Sequence, residues 1–122
     1  MNKALVTIAL ATAVAGCGES YPPTAEGRYM AYCARCHEVD GSSITASEQA
    51  GETISIRSPE FQQLATDDDI RHIITRGKGQ MMAVTGLSEA EIDSVILHVR
   101  RLGARYAADQ AASGLDSDRV GE

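Results

Sequence analysis

The chain has 122 residues, 43% apolar and 23% charged, with a formal net charge of −6. That length and balance describe one soluble globular domain, and an acidic total without a dense, aromatic-interleaved basic stripe excludes a nucleic-acid partner. With one Phe, four Tyr and no Trp, the core lacks the aromatic area that usually fills so small a domain, so something else is expected to fill it.

Residues 1–16 read as an export signal. Lys3 gives a positive start, and Ala4 to Ala15 is apolar apart from Thr7 and Thr12. About a dozen such residues are too few to span a bilayer but match a signal's hydrophobic region. The segment ends in Val14-Ala15-Gly16-Cys17, which resembles the lipobox of bacterial lipoproteins. The resemblance implies removal of residues 1–16, acylation of Cys17, a lipid-anchored linker over 17–23, and a protein facing the periplasm or cell exterior. The alternatives are an ordinary signal cut nearby that leaves Cys17 a free thiol, or a retained signal anchor; an unpaired exposed thiol is a liability in an exported protein.

Tyr21-Pro22-Pro23 is a stiff connection into a first helix, with Thr24 as N-cap and Glu26 in the first turn. This helix runs through Tyr29 into Cys33-Ala34-Arg35-Cys36-His37. In an oxidising compartment a Cys-x-x-Cys pair can be a disulfide or a redox dithiol, and with one further Cys it hardly makes a cysteine-rich zinc site. The histidine decides. Two thiols about one helical turn apart can add to the two vinyl groups on one porphyrin edge, while the next residue reaches the iron; this is the attachment signature of haem c. A thioredoxin-like reading needs a βαβ context that the flanking sequence lacks. A single Cys-x-x-Cys-His implies one haem, whose flat apolar surface would supply the missing core.

Residues 38–58, rich in Gly, Ser, Thr and Glu, read as a loop laid around the haem. Thr66 and Asp67-Asp68-Asp69 start a second, short helix with Ile70, Ile73 and Ile74 on its apolar face, and Gly77 stops it. His72 points away from that face and should be solvated. The Gly-rich segment Gly77-Lys78-Gly79-Gln80-Met81-Met82 can carry a thioether to the iron face opposite His37, with Met81 the expected ligand and Met82 the fallback. A third helix opens with a Ser88/Glu91 capping box. It repeats Ile92, Val95, Ile96, Val99 and Leu102 on one face and ends with Arg100, Arg101 and Arg105 where the helix dipole favours cations. Residues 107–122, small and polar, read as a loose tail.

Charge is split along the chain. Residues 38–69 hold eight acids against Arg57, and residues 71–106 hold six bases against three acids. Solvated faces account for most of such a split.

From Thr24 to Leu102 the chain resembles a small class I bacterial c-type monohaem cytochrome. The resemblance implies an all-α fold of about three helices wrapped around one covalently bound haem, with the domain at 24–106. Tyr29 matches the family's aromatic position four residues before the motif, and Met81 matches the ligand of its Met-Pro loop, although Met82 stands where Pro is usual. His98 takes the place in the last helix where an aromatic residue crosses the first helix, a packing role rather than a ligand. Ser58-Pro59 is the one candidate for the family's proline whose carbonyl orients the proximal histidine. The function implied is one-electron transfer at a membrane surface, with redox protein partners or as a subunit of a larger respiratory or photosynthetic complex. Nothing resembling a substrate site, nucleophile pair or acid/base dyad accompanies the motif. The alternatives are an open-site haem sensor or minor peroxidase, if neither Met81 nor Met82 binds, and a haem-free dithiol redox or metal-handling module.

Overall fold

Thr24 caps as its position predicts: the Gly27 amide donates to its Oγ1 at 3.0 Å, starting α1, Ala25–Tyr32. The structure, a computed structural model, describes residues 20–51 and 54–119. The signal segment and Cys17 lie outside the described residues. Among the described residues five more helices come after α1: α2, Ala34–His37; α3, Ile44–Ala50; α4, Pro59–Leu64; α5, Asp67–Arg76; and α6, Glu89–Arg119. Among the described residues there is no strand, only an isolated bridge between Lys78 and Met81. The described residues form an all-α architecture, with three short helices added to the three that the sequence predicts.

The starts of α5 and α6 are set locally. Thr66 Oγ1 accepts from the Asp69 amide at 3.1 Å while the Asp69 carboxylate accepts from the Thr66 amide at 2.9 Å. Ser88 and Glu91 repeat the arrangement, at 3.3 Å and 2.8 Å. Each box satisfies amides that a helix start leaves without partners. The other Glu91 oxygen takes Arg28 Nε at 3.2 Å, so one carboxylate both caps α6 and ties it to α1.

The core lies where α6 crosses α1 and α5. Ile92, Val95, Ile96, Val99 and Leu102 are all buried, as the period predicts, against Ile70 and Ile74 of α5 and Tyr29 of α1. Burying aliphatic side chains of this size contributes roughly 1.5–3 kcal/mol each. Ile73 is only half-buried, off the line of Ile70 and Ile74. His98 is buried on the same face, its ring 4.8 Å from that of Tyr29 and tilted by 41°. It is the packing contact expected of it, while His72 is exposed.

Two expectations are corrected. Helix α6 does not end near Arg105; it continues through the segment read as a loose tail to Arg119. Arg100 is therefore mid-helix, and its guanidinium serves the α4–α5 corner rather than a helix end. It donates to Asp67 Oδ1 at 2.8 Å, the Gln62 carbonyl at 3.1 Å and the Ala65 carbonyl at 2.6 Å. The second correction concerns 38–58, which is not all loop, since α3 lies within it.

Gly27 shows how tightly the entry to α1 is set. A Cβ there would lie 1.9 Å from the Pro22 carbonyl oxygen. Glycine to alanine inside a helix normally gains up to about 1 kcal/mol. Here Gly27→Ala must push the Pro22-Pro23 backbone aside, so the sign reverses: a loss of roughly 1–3 kcal/mol is expected, read as a lowered melting temperature. An unchanged or raised melting temperature would show that the Pro-Pro entry moves freely.

Candidate haem site

The motif occupies one turn. Cys33 is the C-cap of α1, its amide donating to the Tyr29 carbonyl, and the chain then re-enters helix for the four residues of α2. The Cys36 and His37 amides both donate to the Cys33 carbonyl, at 3.1 and 2.9 Å. Two thiols and an imidazole are thus carried on a single turn. Cys33 and Cys36 are free, partly exposed thiols, and burial pushes the Cys33 thiol up to about 11. Burial lowers the His37 imidazole below its ordinary value and so favours the neutral ring, the form that binds a metal.

Tyr29 holds the far side of this corner. Its hydroxyl donates to the Glu38 carbonyl at 2.7 Å, and burial keeps the phenol protonated. Glu38 follows the histidine at φ 61° and ψ 162°, a region that is essentially glycine's. It is held there by Tyr29 on its carbonyl and by its own carboxylate, which accepts from the Thr45 amide at 3.1 Å and from the Thr45 hydroxyl.

His37 Nδ1 lies 2.9 Å from Ser43 Oγ. The carbonyl partner expected near Ser58-Pro59 is not the one used: Ser58 is the N-cap of α4, its Oγ accepting from the Phe61 amide, and Pro59 stands in the first turn, where its missing N–H costs nothing. Ser43 was hidden in a stretch without periodicity, and no local sequence signal marks it.

Met81 arrives on a separate loop. Lys78 and Met81 exchange both backbone hydrogen bonds, each at 2.9 Å, around Gly79-Gln80, and the Val84 amide returns to the Ile74 carbonyl at 2.8 Å. Gly77 makes this possible. It sits at φ 75°, and a Cβ on it would come within 2.4 Å of the Met81 carbonyl oxygen. Met81 is half-buried, whereas Met82 is 85% exposed.

The donor set fits haem c. Two thiols one turn apart and an imidazole with Nδ1 engaged by Ser43 match its attachment groups and proximal ligand, and the thioether of Met81, on a separate folded-back loop, is of the type that completes the set. Val39, Ile44 and Ile54, between the motif and α4, are all about half exposed or more, apolar surface of the kind a flat ring covers.

A family model described as cytochrome C oxidase, cbb3-type, subunit III matches residues 22–99, a span that takes in the Cys33–His37 corner, the Met81 loop and most of the buried face of α6. The chain belongs to that family of c-type cytochromes. A solved structure, that of the KustC0563 c-type cytochrome, is similar at 26% sequence identity and a TM-score of 0.59, the match covering 65% of this chain and 96% of that one. A comparison with curated proteins gives no significant match. The family implies a covalently bound haem c and electron transfer for this cytochrome. Among the described residues no helix is long and apolar enough to cross a membrane.

Proposed function

We propose that this cytochrome is a single-haem electron carrier, or the electron-transfer subunit of a respiratory or photosynthetic membrane complex, tethered to the membrane through Cys17. Cys33 and Cys36 would hold the ring by thioether bonds, and His37, through Nε2, and Met81 would be the residues that bind its iron. Haem supplies a one-electron ferric/ferrous couple, and His/Met ligation favours the ferrous form.

The observation that carries this reading is the corner itself: two thiols and an imidazole on one turn, with Nδ1 taken by Ser43. The dithiol alternative loses support from the same place, because a redox-active pair needs a thiolate and burial holds the Cys33 thiol at about 11. The family description names an oxidase subunit, which agrees with a place in a terminal oxidase. A lipid anchor and a short linker would confine the domain to partners on one membrane surface and raise its effective concentration there.

A pyridine haemochrome assay on exported protein tests the haem, with one haem c per chain expected. Fractionation tests the tether. Cys17→Ser is expected to move the protein from the membrane to the soluble fraction with its visible spectrum intact, and an unaltered membrane fraction would refute acylation at Cys17.

A further inference from the structure

We propose that Ser43 is the positioning residue for the iron-binding histidine, its hydroxyl accepting from His37 Nδ1 and so fixing the imidazole's tautomer and plane. The proposal rests on the reading of His37 as an iron ligand.

Three observations meet at Ser43. It is fully buried, with 0% of its surface exposed. Its backbone stands at φ 58° and ψ 30°, the left-handed conformation that disfavours every residue with a Cβ. Glycine would occupy this position without strain. What serine adds is one hydroxyl, and that hydroxyl is 2.9 Å from His37 Nδ1, while its other neighbour, the Ile56 amide, is at 3.5 Å. The Ser43 amide also donates to the His37 carbonyl at 3.2 Å, so backbone and side chain both return to the same residue. A strained residue whose side chain makes one short contact, and makes it to a ligand, is placed for that contact.

The chemical consequence has a direction. With Nε2 on a metal, Nδ1 carries the proton and must donate; an acceptor there fixes the ring and makes the ligand more basic. A more basic ligand stabilises ferric over ferrous iron. Removing the hydroxyl should therefore raise the reduction potential and leave the Nδ1 proton less protected from exchange with water.

Ser43→Ala and Ser43→Gly separate this role from a structural one. Both lose the hydroxyl, but only glycine relieves the positive φ, so Ser43→Gly is expected to be the more thermally stable of the two. If Ser43 positions His37, both variants show the same upward shift in potential and the same faster exchange of the Nδ1 proton in the NMR spectrum of the ferrous form, despite their different stabilities. A potential and exchange rate that stay at wild-type values, or that follow stability and change only in Ser43→Ala, would overturn the proposal. Haemochrome analysis of the same samples keeps the two readings apart: haem c present with no shift overturns the role of Ser43 alone, and wild-type protein without haem c overturns the site and the proposal together.

Discussion

Met81→Ala is expected to open an iron coordination position: the ferrous variant should bind carbon monoxide, the reduction potential should fall, and the long-wavelength band typical of methionine-ligated ferric haem should disappear. The expectation rests on how the loop is built. Lys78 and Met81 pair around Gly79-Gln80, Gly77 lets the chain fold back against Met81 and Ala83, and adjacent residues in such a loop project differently. Met82, at 85% exposed, is the one turned to solvent. Losing a thioether destabilises ferrous iron, which sets the sign of the potential change. Met81 is outside the buried core and the side chains packed on it, so the fold should survive and the spectral change should not be an effect of unfolding. Met82→Ala is expected to leave the low-spin spectrum intact. The double variant checks for ligand exchange: if Met81→Ala alone stays six-coordinate and methionine-like but the double variant does not, Met82 swings in. If all three keep a low-spin spectrum, a histidine is the sixth ligand and the assignment of Met81 is wrong.

Cys36→Ser is expected to lower holoprotein to traces or abolish it. The corner that carries the motif is held by hydrogen bonds and by Cys33 and Ala34 packed on the core, with few buried side chains of its own. Helix α2 is four residues long, has no side-chain N-cap and buries nothing, and no large aliphatic side chain from 38 to 54 is buried. Segments with few buried apolar contacts open at low free energy, so attachment through both thiols is expected to order residues 33–50 as well as to retain the ring. Haem c per chain, measured by pyridine haemochrome, should fall sharply in Cys36→Ser, and amides of this segment should exchange faster than those of α6. Wild-type colour should survive acid–acetone extraction. Full haem c occupancy in Cys36→Ser would show that Cys33 and the remaining contacts suffice.

The parts of the fold legible in the sequence were those fixed by local chemistry. Thr24, Thr66 and Ser88 each cap a helix as their side chains predict, and the 3.6-residue period of Ile92 to Leu102 marks the buried face of α6. Ser58-Pro59-Glu60 carried an equally local signal, an N-cap followed by proline in the first turn, and α4 begins there; the expected role of the proline's carbonyl as an acceptor for the histidine masks it. Helix α3 had no such mark. It starts from a left-handed residue and leans on Glu38 through Thr45, contacts that exist only after the chain has folded. The continuation of α6 to Arg119 reflects propagation: once a helix is nucleated, the alanines at 107, 108, 111 and 112 extend it even though they are themselves exposed. In the candidate site, Cys33, Cys36 and His37 can be named from the sequence because the haem c attachment signature has that spacing, whereas Ser43 depends on how the chain folds back six residues later.

Six of the eight buried core residues, Ile70, Ile74, Ile92, Val95, Ile96 and Val99, are β-branched. Such side chains are stiff at χ1 and have few rotamers to choose among. A redox centre exchanges electrons fastest when the atoms around it hardly move between its two charge states, since each displacement adds to the activation barrier. The rotamer-poor aliphatics behind Tyr29 leave the core between α1, α5 and α6 few alternative packings. For the proposed electron transfer, such a core would add little protein displacement to the change of charge at the haem.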